Sequence, residues 1–281
     1  MHGISRFQRT FLRLAAFASL GFVAAAPAIS APRIIGGTDV PDGRYPFLVD
    51  IELRPTASDD WRHNCGGSLI APDLVVTAAH CLPGSHGTPA DAQIRLVFGR
   101  TDRSHPPEQV AEGDGLLAIV FHPEAGTGVP NRDAGLIVLR DPINNIQPAR
   151  IANHSSFYRP GLTATVAGWG YTEDGVLPQR MREVDVALLQ PEACRSLTSF
   201  SRPTSVVPPL CAGFGGSGGP GVSGGDSGSP LFLQIPRTND VIQLGLVSGV
   251  SPVLPDGYTN LLDPQMWKGL LDAAALGKPT D

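Results

Sequence analysis

A chain of 281 residues, 42% hydrophobic and 17% charged, is long enough for a real core and fits one large domain or two small ones. Its net charge of −5 is unevenly spread: residues 1–33 hold Arg6, Arg9, Arg13 and Arg33 and no acid, which leaves 17 of the 21 basic side chains against all 26 acids. That acidic body offers no footprint for nucleic acid or an anionic membrane, and 33 Gly with 27 Pro point to the many turns of an all-β fold.

In chain order, residues 1–31 read as a secretory signal. Arg6, Arg9 and Arg13 form a basic start, and Leu14 to Ala26 is an apolar, Ala-rich run. It is shorter than the roughly 20 residues a helix needs to span a bilayer, which argues against a retained anchor. Ala26-Pro27-Ala28 has the small-x-small form of a cleavage site and Ala31 offers another, so cleavage is expected near 28–31. No later segment reads as membrane-spanning, so no membrane contact is expected once the signal is removed. Pro32-Arg33 then precedes Ile34-Ile35-Gly36-Gly37. An Arg before two branched apolar residues and two glycines reads as an exposed processing point.

Phe47-Leu48-Val49-Asp50-Ile51 alternates like a strand, and the polar stretch from Arg54 to His63 reads as a loop. Short strands are expected at Gly67 to Ile70 and Leu74 to Thr77, around a Pro72-Asp73 turn, and at Ile94 to Phe98. Leu116 to Phe121 and Leu136 to Leu139 are continuous apolar runs, as buried strands show. Residues 141–160, with Asp141-Pro142, Pro148 and Pro160, read as a connection between two halves. Strands resume at Thr163 to Ala167, Glu183 to Leu188, Pro230 to Gln234 and Gln243 to Val247. Only Asp263 to Leu276 has a helical pattern, with Met266, Trp267, Leu270, Leu271 and Ala274 at helical spacing. The expected order is a first β-rich half at about 45–140, a second at about 161–262, and a helix at about 263–276.

Four cysteines, Cys65, Cys81, Cys194 and Cys211, suggest two disulfides in an exported chain. Three pairings are open. The local one, Cys65–Cys81 and Cys194–Cys211, closes loops of 16 and 17 residue steps and is carried forward as the expectation. Each such loop is worth about 3 kcal/mol in a chain-entropy account. Zinc is the rival reading, but the chain has no C-x-x-C spacing.

The chemistry gathers at Gly224-Gly225-Asp226-Ser227-Gly228-Ser229-Pro230. Glycines let the backbone adopt positive φ and let a substrate lie close. A serine presented this way can act as a nucleophile, with backbone N–H groups beside it for an oxyanion. Taken alone, the run is more simply a Gly-rich surface turn. Two upstream stretches change that: His80 in Thr77-Ala78-Ala79-His80-Cys81 and Asp133 in Asn131-Arg132-Asp133-Ala134-Gly135. A serine hydroxyl needs a base at neutral pH, and a carboxylate can fix that base's tautomer. Among the seven histidines only His80 sits beside a cysteine after an apolar strand. The bland alternatives are a structural histidine and a turn acid. The order His, Asp, Ser excludes the α/β-hydrolase plan, which runs Ser, Asp/Glu, His and wants G-x-S-x-G.

Nine stretches in order resemble the trypsin/chymotrypsin-like serine proteases: IIGG at 34–37, CGGSLI at 65–70, TAAHC at 77–81, DAGLIVL at 133–139, AGWG at 167–170, CAG at 211–213, GDSGSP at 225–230, LVSG at 246–249 and GYTNL at 257–261. The resemblance covers essentially everything after Arg33. It implies two packed six-stranded antiparallel β-barrels with a C-terminal α-helix, and a catalytic triad of His80, Asp133 and Ser227. It implies oxyanion donors at the N–H groups of Gly225 and Ser227. It also implies a zymogen: cleavage at Arg33–Ile34 would free an ammonium on Ile34 that pairs with a buried Asp226.

Within that resemblance the aspartate at the base of a trypsin pocket falls on Gly221, so that acid is missing. Asp256 falls on a pocket wall, where a carboxylate could meet Arg or Lys; the alternative is an ordinary turn residue after Pro255. Val250 falls on a pocket-rim glycine and would narrow the entrance, as in elastases. Gly249 replaces the usual tryptophan of the substrate-binding strand, while Ser248 and Val250 keep backbone groups for an extended peptide. Two usual disulfides are absent, and Ser223 occupies one end of the one that braces the pocket. The run from Gly213 to Gly225 is therefore expected to be loose until substrate binds. Arg100 stands where calcium-binding trypsins place a ligand acid, so no metal is expected.

The reading is a secreted, monomeric serine endopeptidase acting on protein or peptide substrates, with no cofactor and with an activating protease as a further partner. The Ala-rich leader and few disulfides point to a microbial exporter. Two rivals remain: a protease homologue that binds or regulates without cleaving, and a non-peptide esterase.

Overall fold

The computed structural model describes residues 34–86, 88–107, 109–129, 131–194, 207–238, 240–251 and 254–276. The stretch expected to be a signal, 1–31, its expected cleavage site and Pro32-Arg33 lie outside the described residues. The chain opens with a two-residue strand, β1 (Thr38–Asp39). Seven strands follow: β2 (Leu48–Arg54), β3 (Arg62–Ala71), β4 (Leu74–Thr77), β5 (Gln93–Phe98), β6 (Gln109–Glu112), β7 (Leu116–Phe121) and β8 (Gly135–Leu139). They form one antiparallel sheet in the order β6-β5-β2-β3-β4-β8-β7. The second half holds β9 (Arg150–Ile151), β10 (Thr163–Gly168), β11 (Arg182–Ala187), β12 (Leu210–Cys211), β13 (Pro230–Gln234), β14 (Val241–Gly249) and β15 (Gly257–Asn260). Its order is β1-β11-β10-β13-β14-β15-β12, with β9 parallel to β14. Two α-helices, α1 (Pro191–Cys194) and α2 (Pro264–Leu276), complete the described residues.

The mostly-β reading holds, and the strand count is richer than six in each half. β6, Gln-Val-Ala-Glu, has only two apolar residues between polar ends, while β1 and β9 are too short to show a period. Leu116 to Phe121 is a strand, as expected, but it is not buried. β7 closes one end of its sheet and pairs only with β8, so Leu117 is 54% exposed. The stretch from Arg54 to His63 is a shorter loop than expected, because β3 already begins at Arg62.

Two apolar cores lie against the two sheets. The first gathers Leu48, Ile51, Leu69, Leu96, Ile137 and Trp169, all fully buried. Phe232 of β13 reaches into it, edge-on to Tyr45 at 5.0 Å and to Phe47 at 5.5 Å, so aromatic packing ties the halves together. The second gathers Val166, Leu231, Leu244, Val247 and Tyr258, and includes the Ile34 side chain. Each fully buried aliphatic contributes about 1.5–3 kcal/mol. Both local disulfides form, Cys65–Cys81 and Cys194–Cys211.

Helix α2 starts where its sequence says it should. Asp263 accepts the Gln265 N–H at 2.9 Å, and Pro264 occupies the first helical position, where a missing N–H costs nothing. Met266 and Leu270 are buried against Val76, Leu136, Leu246 and Leu261. Leu271, which the helical pattern placed with them, is 61% exposed.

Candidate active site

His80 lies in a 3-10 turn, Ala79–Cys81, directly after β4. Its neighbour Cys81 is bonded to Cys65 of β3, which pins the turn to the sheet. The same Cys65, His80 and Cys81 form the one metal-like group among the described residues, but the two sulfurs hold each other. Asp133 stands in the turn before β8. Its Oδ2 accepts from His80 Nδ1 at 2.8 Å, and its Oδ1 accepts the His80 backbone N–H at 3.0 Å. Two carboxylate contacts thus fix both the ring and the backbone of one histidine.

The second half holds the same acid from the other side. Ser248 Oγ donates to Asp133 Oδ2 at 2.7 Å, and Thr259 Oγ1 donates to the Asp133 carbonyl at 2.9 Å. Burial pushes the Asp133 carboxyl up, yet the bonds from His80 and Ser248 outweigh it and hold the group below its ordinary range. Burial likewise pushes His80 down, but Asp133 outweighs it and the imidazole sits above its ordinary value. The Ser248 hydroxyl was legible only as a family position for peptide binding; its role in holding Asp133 came from the structure.

Ser227 is brought to the same place by the backbone around it. Its carbonyl accepts the Gly66 N–H at 2.8 Å, and the next N–H, of Gly228, donates to the Val247 carbonyl at 2.8 Å. Gly228 has φ +75°, and a Cβ there would overlap Thr77 Oγ1 and the Gly66 carbonyl oxygen. A side chain would wedge the serine loop away from the strand that leads to His80. Contacts therefore run in a ring, from Ser227 through Val247 and Ser248 to Asp133, then His80, and back through Thr77 and Gly66. No hydrogen bond joins Ser227 Oγ to His80 Nε2; both atoms lack a hydrogen-bond partner among the described residues. In unliganded enzymes such bonds are often long and tighten on binding. The N–H groups of Gly225 and Ser227 also have no acceptor among the described residues. Gly225 has φ +90°, a conformation that glycine supplies without strain.

Asp226 turns inward, away from that surface. It is fully buried and accepts N–H groups from Gly170 at 2.8 Å and Ser223 at 2.9 Å. Burial is the dominant influence and pushes its carboxyl up to about 6, against the two backbone bonds. No salt bridge reaches it among the described residues. Ile34, with φ +43°, is an unusual conformation for a β-branched residue, and its side chain is fully buried.

Of the residues expected to shape a pocket, Gly221 and Asp256 are in contact. Asp256 is buried, and its Oδ2 accepts N–H groups from Gly215 at 3.0 Å and Val222 at 2.9 Å. A Cβ at Gly221 would overlap that oxygen, so any side chain at 221 is excluded. Asp256 is thus no ordinary exposed turn residue. Its Oδ1 has no hydrogen-bond partner among the described residues, nor does the nearby Tyr258 hydroxyl, and burial pushes the carboxyl up. Gly249 has open space around its Cβ position, while Val250 is 40% exposed at the end of β14.

One buried pair went unread in the sequence. His63 and Asp50 have fully buried side chains, with Nδ1 and Oδ1 2.6 Å apart, and His63 Nε2 lies 3.0 Å from the Gly225 carbonyl oxygen. Nothing in the pattern around His63 marks it. Arg100, expected to repel calcium, instead donates to Asp50 at 3.1 Å and to Glu52 at 2.8 Å.

The trypsin family model matches residues 34–261. The serine proteinase stubble of Drosophila melanogaster is 32% identical over 214 residues, which is 73% of this chain and 26% of that protein. Ovochymase-2 of Mus musculus is 31% identical over 211 residues, 72% of this chain and 32% of that protein. Atrial natriuretic peptide-converting enzyme of Mus musculus is 29% identical over 208 residues, 73% of this chain and 17% of that protein. The chain therefore spans a third or less of each of these relatives. All three are animal proteins and lend no support to a microbial origin.

Proposed function

The chain belongs to the trypsin family of serine proteases, and on that premise we propose that it is a secreted serine endopeptidase, made as a zymogen and activated by cleavage at Arg33–Ile34. The observation that supports this most is Asp133, which grips the ring and backbone of His80 while bonding Ser248 beside the serine loop. In the proposed reaction Ser227 Oγ attacks a peptide carbonyl as its proton passes to His80 Nε2. Asp133 stabilises the imidazolium that forms. The N–H groups of Gly225 and Ser227 receive the oxyanion, a contribution of about 10²–10³ in rate for one such donor. The amine leaves with the proton from His80, and water then hydrolyses the acyl-enzyme by the same route reversed. No cofactor takes part, and the enzyme works as a monomer.

Activation follows from charge. The carboxyl of Asp226 is buried with no salt bridge among the described residues, and an ammonium freed on Ile34 would supply one. For specificity we read Asp256 as the acid that meets a basic P1 side chain at the floor of the pocket, through its unpartnered Oδ1. Ser248 and Val250 would receive the peptide backbone, and Gly249 leaves the path open.

The test uses the chain cut at Arg33–Ile34, an active-site serine phosphonate and a peptide library. Labelling of Ser227 and cleavage after Arg or Lys are expected. An unlabelled processed protein would favour the non-cleaving homologue, and labelling with ester but no peptide turnover would favour the esterase. If Asp256→Asn leaves a preference for Arg or Lys unchanged, Asp256 is not the selecting acid.

A further inference from the structure

We propose that the pocket built on Asp256 and Tyr258 selects lysine over arginine before the scissile bond, because it offers a cation two separate oxygens and no two-oxygen carboxylate edge. The inference rests on the reading of Asp256 as the acid that meets a basic side chain. It starts from two buried oxygens without partners. Asp256 Oδ1 and the Tyr258 hydroxyl belong to fully buried residues, and neither has a hydrogen-bond partner among the described residues. Buried polar groups are nearly always partnered, so two orphans in one place mark a site for a hydrogen-bond donor. Backbone pairing puts them side by side. Leu210 faces Tyr258 and Cys211 faces Gly257 in the β12–β15 ladder, and Asp256 continues it through bonds with Ala212 and Gly213. Residues two apart on such a strand turn their side chains to the same face.

The other carboxylate oxygen is already occupied. Oδ2 accepts the Gly215 N–H at 3.0 Å and the Val222 N–H at 2.9 Å. A Cβ on Gly221 would stand 2.1 Å from that oxygen, so backbone closes the side on which it lies. A guanidinium grips a carboxylate best through two parallel N–H···O bonds, one to each oxygen of the same edge. Here two backbone N–H groups hold one end of that edge. An ammonium needs no edge. It is a compact point charge whose three N–H groups can donate to Oδ1 and to the Tyr258 hydroxyl at once. Arginine would bring five donors to the same two side-chain acceptors, and each N–H buried without an acceptor carries a desolvation cost.

The charges around the two oxygens call for a cation. Burial pushes the Asp256 carboxyl up and backbone N–H groups draw it back; no cationic side chain acts on it. Burial first, then Asp256 and Asp226, push the Tyr258 hydroxyl well above its ordinary value, so it keeps its proton at pH 8 and its lone pairs stay free to accept. Asp256 also pushes the Asp226 carboxyl up, so two acids act on one interior. The bonds to both acids come from backbone N–H groups of Gly170, Ser223, Gly215 and Val222. A bound ammonium would bring the first full positive charge to Asp256.

The experiment uses the full chain cut at Arg33–Ile34, at pH 8, with paired peptides that differ only in carrying Lys or Arg before the scissile bond. Expected is a kcat/KM for lysine about tenfold above that for arginine, the worth of one hydrogen bond to a charged group. Equal values, or arginine ahead, overturn the proposal and leave the endopeptidase reading intact. Tyr258→Phe removes only a hydroxyl that holds no partner, so its melting temperature should match the parent's. It should lower the lysine value about tenfold and arginine by less, bringing the ratio near one. An unchanged ratio overturns the two-oxygen account. A second readout needs no turnover. n-Butylamine and n-butylguanidine carry the two head groups on one chain, and calorimetric titration should show the amine binding about tenfold more tightly. Tighter binding of the guanidine overturns the proposal. A preference for the amine in a protein that cuts no peptide would sink the endopeptidase reading and leave the pocket's preference standing. Cleavage after apolar residues with neither cation bound would remove Asp256 as the selecting acid, and the proposal with it.

Discussion

Replacing Asp226 by asparagine in the uncut chain should stabilise it at pH 8, by up to about 3 kcal/mol. The figure comes from burial. The carboxyl is fully enclosed, accepts only two backbone N–H groups, and is pushed from 3.8 to about 6. A rise of that size, at about 1.4 kcal/mol for each tenfold change in proton affinity, corresponds to roughly 3 kcal/mol. The sign follows from which state holds the proton. Between about pH 4 and 6 the folded chain keeps a proton that the unfolded chain releases, so stability falls as pH rises through that window and is level above it. Asparagine has no proton to release, so its curve lacks that fall. Cutting at Arg33–Ile34 should change the slope itself. An ammonium on Ile34 beside the carboxylate would draw the folded value below the unfolded one, and stability would then rise with pH across the acid range. Urea unfolding from pH 4 to 8 on three proteins measures this: the uncut parent, uncut Asp226→Asn, and the cut parent. Asp256 also carries an upward-shifted carboxyl in the same interior, so the quantity to compare is the difference between parent and variant. Identical pH slopes for the uncut parent and variant would refute the burial argument. A cut parent whose slope from pH 4 to 6 equals that of the uncut parent would refute the ion pair.

Three other outcomes follow from the site. Ser248→Ala removes a 2.7 Å bond to Asp133, which is partly open to water, so kcat/KM should fall about tenfold; steady-state kinetics showing no change would mean that water replaces the hydroxyl fully. Asp133→Asn should cut kcat by about 10⁴-fold by freeing the wrong tautomer, and the acid limb of the residual kcat/KM should move to lower pH, because the group that raises His80 is gone and burial, which lowers it, remains. A limb that stays in place would contradict that cause. Gly228→Ala forces a side chain at φ +75° onto Thr77 and Gly66, costing about 2–4 kcal/mol and lowering kcat more than it raises KM. Gly43→Ala, at φ +70° with nothing within 4 Å, is the control, with a thermal-melt cost near 1 kcal/mol and parental kinetics.

The parts of the site that the chain spells out locally were legible: a serine in a glycine run, a histidine after an apolar strand, and cysteines 16 and 17 residues apart that pair with each other. What stayed hidden depends on register and on compensation of charge. In β2, Val49, Ile51 and Leu53 alternate with Asp50 and Glu52, a pattern that ordinarily places the acids in water. Asp50 and Glu52 are instead buried, because β5 brings Arg95 opposite Glu52, the chain after β5 folds Arg100 over both acids and Arg103 onto Asp50, and a bulge after Ile51 sets His63 across from Glu52. Alternation tells which residues share a face; it does not tell whether three arginines and a histidine will cover that face. β7 is the converse case. Its unbroken apolar run reads as doubly buried, but an edge position leaves Leu117 exposed, and only the order of strands in the sheet decides that. The same logic explains Ser248. Its place at the end of β14 marks it for a peptide backbone, while its hydroxyl reaches Asp133 because a shift in the β14–β15 pairing between Val247 and Gly249 falls at that residue. The motif thus names the groups that would do chemistry, and the pairings between strands fix how rigidly each is held.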